Sequence, residues 1–172
     1  VNYPENAIIK SVGIQMGVDM FLDRVLNLSH LLKKKSFFLF GPRGTGKTSL
    51  IKHQLQDVLR LDLLRSDLYM RLSRHPNELE EIILKTDSPK WVVIDEIQRI
   101  PMLLNEVHRL IEDRGIRFLL TGSSARKLKK NPDINMLGGR AWEANLFPLT
   151  REEIPHFKLD RYLQYGGIPS VY

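Results

Sequence analysis

Phe37-Phe38-Leu39-Phe40-Gly41-Pro42-Arg43-Gly44-Thr45-Gly46-Lys47-Thr48 is the stretch on which the reading turns. Four apolar residues in a row, ended by glycine, predict a strand buried on both faces, as in a parallel sheet. The eight residues from Gly41 then match Gly-x-x-x-x-Gly-Lys-Thr at every fixed position. Glycines let the backbone turn tightly and bring several N–H groups close to one anion. Gly46 to about Asp57 suits a helix with Leu50, Ile51 and Leu55 on one side, and its first turn would aim unpaired N–H groups and a positive dipole end at that anion. The chemistry is that of a polyphosphate cradle. Gly41, Pro42, Arg43, Gly44, Thr45, Gly46, Lys47, Thr48 and Ser49 are its candidate lining, with Lys47 reaching β- and γ-phosphate oxygens and the Thr48 hydroxyl ligating magnesium.

Working outward, Trp91-Val92-Val93-Ile94-Asp95-Glu96 is a second apolar strand, here ending in two carboxylates. Beside a phosphate loop, Asp95 would hold the metal and Glu96 would orient or deprotonate an attacking water. Ile116 to Thr121 predicts a further strand. Polar residues follow it in Thr121-Gly122-Ser123-Ser124, at the end where ligands of open α/β sheets bind. Thr121 and Ser123 are both candidates to hold the water or a γ-phosphate oxygen, and both also suit simple turn capping.

The remaining periodicity fills in an alternating pattern. A helix is expected from Asp19, as N-cap, to Lys34, followed by strands at Val58 to Leu63 and Trp142 to Leu149. Helices are expected after Pro76-Asn77, broken by Ser88-Pro89, and from Pro101 to Gly115. Thr150 and Glu153 fit a capping box for a last helix near Tyr162. Val1 to Gly17 carry no clear period. The division is an N-terminal segment over residues 1–35 leading into a core over 36–172. The fold expected is an α/β three-layer sandwich, with a mostly parallel sheet of about five strands and helices on both faces.

Composition sets the bounds. The chain has 172 residues, 42% hydrophobic and 27% charged, enough for one real core. It has no cysteine, which excludes disulfides and thiolate metal sites. No apolar run nears the roughly 20 residues that span a bilayer, and no export signal opens the chain, so a cytoplasmic protein without membrane contact is expected. A net charge of +6 suits anionic partners without naming one. Val1 and the closing Gly166-Gly167-Ile168-Pro169-Ser170-Val171-Tyr172 suggest a fragment of a longer protein.

Taken together, the motifs resemble the AAA+ superfamily of P-loop ATPases. Within it the chain is similar to a bacterial and archaeal group that carries an additional C-terminal domain. The resemblance rests on the phosphate loop (Walker A) and on Ile-Asp-Glu-Ile-Gln-Arg-Ile-Pro at Ile94 to Pro101 (Walker B). It extends to Leu-Thr-Gly-Ser-Ser at Leu120 to Ser124, Leu-Gly-Gly-Arg at Leu137 to Arg140, Leu-Phe-Pro-Leu-Thr at Leu146 to Thr150, and Tyr-Gly-Gly-Ile-Pro at Tyr165 to Pro169. It implies ATP and ADP as ligands and magnesium as cofactor. It assigns Asp95 as the metal-side acid, Glu96 as the catalytic acid and Ser123 as the sensor. Arg140 is expected to neutralise γ-phosphoryl charge in cis or from a neighbouring subunit, or else to form a structural salt bridge. A homo-oligomer and a protein or DNA partner are compatible with it. A nucleotide switch with little turnover is the alternative. A GTPase is disfavoured because no Asn-Lys-x-Asp stretch occurs, and the Asp-Glu pair favours water over a small-molecule acceptor. Basic residues at Lys33 to Lys35 and at Arg126, Lys127, Lys129 and Lys130 read as solvated faces, and the five histidines as structural or surface groups. Gln98 stays open between a nucleotide sensor and a turn residue.

Overall fold

In the computed structural model, residues 21–86, 89–123, 125–129 and 137–171 are described. Five strands form one sheet: β1 (Ser36–Phe40), β2 (Val58–Asp62), β3 (Trp91–Asp95), β4 (Phe118–Gly122) and β5 (Ala141–Asn145). Their order is β2-β3-β4-β1-β5, and every pairing is parallel. The three inner strands are buried at every position, as their unbroken apolar runs require.

Successive side chains leave a strand on opposite faces, so each apolar strand feeds two cores. Phe38, Phe40, Val92, Ile94, Phe118 and Leu120 pack with Leu72 of α3 (Ser66–Arg74), Leu79 and Ile83 of α4 (Glu78–Leu84), and Leu104, Val107 and Leu110 of α5 (Leu103–Arg114). Phe37, Leu39, Val93 and Leu119 pack on the other face with Leu28 and Leu32 of α1 (Leu28–Lys34) and Leu50 and Ile51 of α2 (Lys47–Gln54). These are the three layers expected of the sequence. Each fully buried Leu, Ile or Phe contributes about 1.5–3 kcal/mol by leaving water.

The chain leaves β1 near the middle of the sheet and re-enters at the far edge as β2, so the C-terminal ends of β1, β4 and β3 lie side by side. That is the crevice where open α/β sheets receive ligands. Two short helices, α6 (Ala125–Lys129) and α7 (Leu159–Tyr165), complete the described α-helices. No helix among the described residues is long and apolar enough to cross a membrane.

Several element boundaries differ from the sequence expectation. Asp19 and Val1 to Gly17 lie outside the described residues; among those described, residues 21–27 are non-helical and the first helix starts at Leu28. The Asn27 side chain caps it by accepting the His30 N–H at 2.9 Å. The Gln54 amide holds the preceding segment in non-helical form, accepting from Leu28 N at 2.8 Å and donating to Leu26 O at 3.0 Å. The phosphate-loop helix stops at Gln54, because Leu55 turns to extended backbone. The capping box of Thr150 and Glu153 is present, but it closes a single 3-10 turn at Arg151–Glu153. Pro155 has no N–H to continue a helix, and α7 begins only at Leu159. The fifth strand ends at Asn145 because its partner β1 ends at Phe40; Leu146 N makes the last ladder bond, to Phe40 O at 2.7 Å, and Pro148 follows. Helix α3 was not expected. Its signal is the Leu68 and Leu72 spacing behind Asp67 in the first turn.

Candidate functional site

The phosphate loop hangs between β1 and α2. Gly44 and Gly46 adopt φ of 86° and 88°, a left-handed backbone that glycine tolerates without strain. Gly41 is required for a different reason: a Cβ there would run into the backbone carbonyl of Leu146. Thr45 is buried and closes the loop, its hydroxyl donating to Pro42 O at 2.9 Å. Helix α2 then begins at Lys47, with Leu50 N donating to Gly46 O at 2.8 Å as an early helical bond. The N–H groups ahead of Leu50 lack helical partners and are available to an anion.

Lys47 is buried, and its Nζ donates to Gly41 O at 2.6 Å and Pro42 O at 3.0 Å. Burial pulls its pKa below the ordinary lysine value, while the negative charges of Glu96 and Asp95 push it back up. Asp95, buried at the end of β3, has both carboxylate oxygens occupied. The Thr121 hydroxyl donates to one, and Arg60 Nη2 donates to the other at 2.8 Å. Glu96 sits at φ 59°, left-handed for a non-glycine residue. Its N–H donates to the Thr121 Oγ1 at 3.2 Å, and its carboxylate accepts from the Gln98 amide. Thr121 thus links the two acids from the neighbouring strand.

One cavity of about 1030 Å³ opens at this edge of the sheet. Its walls include Arg43, Gly44, Gly46, Lys47, Thr48, Ser49, Asp95, Glu96 and Ser123. Of the sequence-derived candidates these nine meet there. Gly41, Pro42 and Thr45 are not on the wall; they shape the loop, and the Gly41 and Pro42 carbonyls hold Lys47. Of the two hydroxyl candidates, Ser123 lines the cavity while Thr121 is buried beneath it against Asp95. Arg140 is not on the wall either. It pairs with Glu112 of α5, and the in-cis role expected for it has no support in this arrangement.

The donor set fits magnesium. Among the described residues no group of three or more His or acidic side chains forms a metal cage. Magnesium needs none, because it keeps waters and takes one or two protein ligands together with phosphate oxygens. Asp95 and Thr48 both line the cavity, and a guanidinium already pairs with Asp95.

Arg60, Arg24, Phe21 and His53 are among the contributors that were not read from the sequence. Arg60 is a charged residue inside the run Val58-Leu59-Arg60-Leu61; it pairs in register with Val93 and so shares a sheet face with Asp95. Arg24 lines the cavity and donates to Thr45 O at 2.8 Å and Phe147 O at 2.6 Å. Phe21 and His53 stack at 3.7 Å between ring centroids and also line the cavity. Arg60 could have been suspected as a charge in a strand; the other three depend on tertiary approach.

A family model described as an AAA domain matches residues 33–155. An AAA-ATPase of Arabidopsis thaliana is 36% identical over 64 residues, covering 37% of this chain and 12% of the relative. An uncharacterised protein of Methanocaldococcus jannaschii is 30% identical over 135 residues, covering 70% of this chain and 28% of that one. Both relatives are therefore far longer than the matched region. Among solved structures, AMPPCP-bound DnaA from Aquifex aeolicus superposes with a TM-score of 0.54 at 17% identity, covering 83% of this chain and 56% of DnaA. At that identity the likeness speaks for the fold. With the family model spanning most of the chain and the parallel sheet in place, this chain belongs to the AAA-domain family, among the AAA+ P-loop ATPases.

Proposed function

We propose that the chain binds ATP with magnesium in this cavity and hydrolyses it to ADP and phosphate. One observation carries the reading: Lys47, Thr48, Asp95, Glu96 and Ser123 come from three separate strand ends yet line one cavity at the start of α2. The N–H groups of the loop and first helical turn hold the phosphate chain. Lys47 moves from the Gly41 and Pro42 carbonyls to phosphate oxygens. Thr48 and Asp95 would hold the magnesium, which would offset charge on the β- and γ-phosphates. Glu96 orients a water and takes its proton, and Ser123 holds a γ-phosphate oxygen or that water. Arg140, which pairs with Glu112 and does not line its own cavity, would serve a γ-phosphate across a subunit border in a homo-oligomer. Replacing Glu96 with Gln keeps the shape and removes the base. The reading expects ATP affinity to persist while turnover falls about 100-fold or more. Unchanged turnover would contradict it.

The switch reading has its own supporting observation. Lys47 and Asp95 are each held by groups of the chain itself, so phosphate and metal would displace those contacts on binding. Binding without turnover in the unmutated full-length protein would favour that reading, with a protein or DNA partner sensing the change.

A further inference from the structure

Gln98 sits half-buried on the 3-10 turn Ile97–Arg99 that follows β3. Its amide nitrogen donates to Glu96 Oε2. Its amide oxygen is buried and has no hydrogen-bond partner. A buried acceptor without a donor is destabilising, and such a group needs a reason to persist. The space that this oxygen fills belongs to Gly122 at the end of β4, where a Cβ would stand only 2.5 Å from Gln98 Oε1. Gly122 adopts no left-handed backbone that would itself demand glycine. Two positions at the ends of adjacent strands are thus matched: a missing side chain on β4 makes room for an amide that reaches back to Glu96.

We propose that Gln98 is a positioning residue for Glu96, and that Gly122 is glycine in order to seat it. Only one Glu96 oxygen is taken by the amide, which leaves the other for a water in the cavity. Glu96 already has its backbone fixed at left-handed φ by Thr121. The Gln98 bond fixes the side chain as well, and with it the angle at which the carboxylate meets the water. The unpaired oxygen is the cost of aiming the nitrogen correctly. This inference rests on the hydrolytic reading above, since it concerns how the proposed base is held.

The test is a double-mutant cycle in the full-length protein, with Gln98→Ala, Gly122→Ala and both together. Steady-state turnover and the affinity for a non-hydrolysable ATP analogue are measured for each. Gln98→Ala should lower kcat about tenfold to a hundredfold, the scale of a misplaced reacting group, while analogue affinity and melting temperature hold. Gly122→Ala should fold, because the atom it meets is the end of a flexible side chain, and should show the same loss. In the Gln98→Ala background Gly122→Ala should cost nothing more. Separate, multiplying losses would overturn the proposal, as would unchanged or faster turnover in Gln98→Ala. Glu96→Gln, run alongside, separates the two readings. If it abolishes turnover while Gln98→Ala leaves turnover intact, only this inference falls. If turnover does not depend on Glu96 at all, the hydrolytic reading falls and takes this one with it.

Discussion

Replacing Glu153 with Gln removes one charge from an ion pair that ties three distant segments together. Arg24 Nε lies 3.0 Å from Glu153 Oε1, and the two side chains are only 4% and 6% exposed. Glu153 also accepts the N–H groups of Val25 and Thr150, each at 2.9 Å. Arg24 in turn donates to Thr45 O in the phosphate loop and to Phe147 O. Removing one partner of a buried pair costs about 3–5 kcal/mol, because the other charge stays buried and uncompensated. Gln keeps one carbonyl oxygen to accept from the backbone, so the loss should lie near the lower figure, about 3 kcal/mol. For a chain of this size that lowers the melting temperature by about 6–12 °C. The pH dependence is specific. Burial pushes the Glu153 pKa up, but the Thr150 N–H, Arg24 and the Val25 N–H together hold it below the ordinary 4.5. A carboxylate with a depressed folded pKa contributes stability that is fully present above 4.5 and is lost as pH falls through the folded value. Urea unfolding of both proteins should therefore give a constant difference from pH 8 to pH 5 that shrinks in stronger acid. A difference below about 1 kcal/mol, as for an exposed pair, or one that is the same in acid, would refute the reasoning.

Gly41→Ala places a methyl against the backbone carbonyl of Leu146, which cannot swing aside as a side chain would. We expect a loss of about 1–3 kcal/mol in unfolding free energy and weaker nucleotide binding by calorimetry. Arg60→Ala leaves one oxygen of buried Asp95 without its donor. The nucleotide-free protein should lose about 1–3 kcal/mol, and magnesium with an ATP analogue should restore part of the melting temperature by supplying a cation and a ligand to the same carboxylate.

The sequence made the inner sheet legible because Phe37-Phe38-Leu39-Phe40, Trp91 to Ile94 and Phe118 to Leu120 must be buried on both faces, and only parallel strands between helical layers permit that. The loop residues were legible because polyphosphate chemistry fixes residue types at fixed spacing. What escaped was set by contacts between segments far apart in the chain. The start of α1 is decided by Gln54, 26 residues from the Leu28 N–H that it accepts. The Thr150 and Glu153 box was recognised, but Pro155 and Arg24 determine what it caps. Arg60 gains its meaning only when register puts it on the Asp95 face. The seat of Gln98 depends on a glycine in another strand.

Calorimetric titration of the full-length protein with a non-hydrolysable ATP analogue tests the central claim most directly. It is run in magnesium, in EDTA, and in magnesium with Lys47→Ala. Saturable binding in magnesium is predicted. Losing the charged Lys47 contacts, worth about 1.5–3 kcal/mol, should weaken binding about 10- to 150-fold, and EDTA should weaken it as well. No binding in magnesium, or the same affinity in all three titrations, would contradict the account.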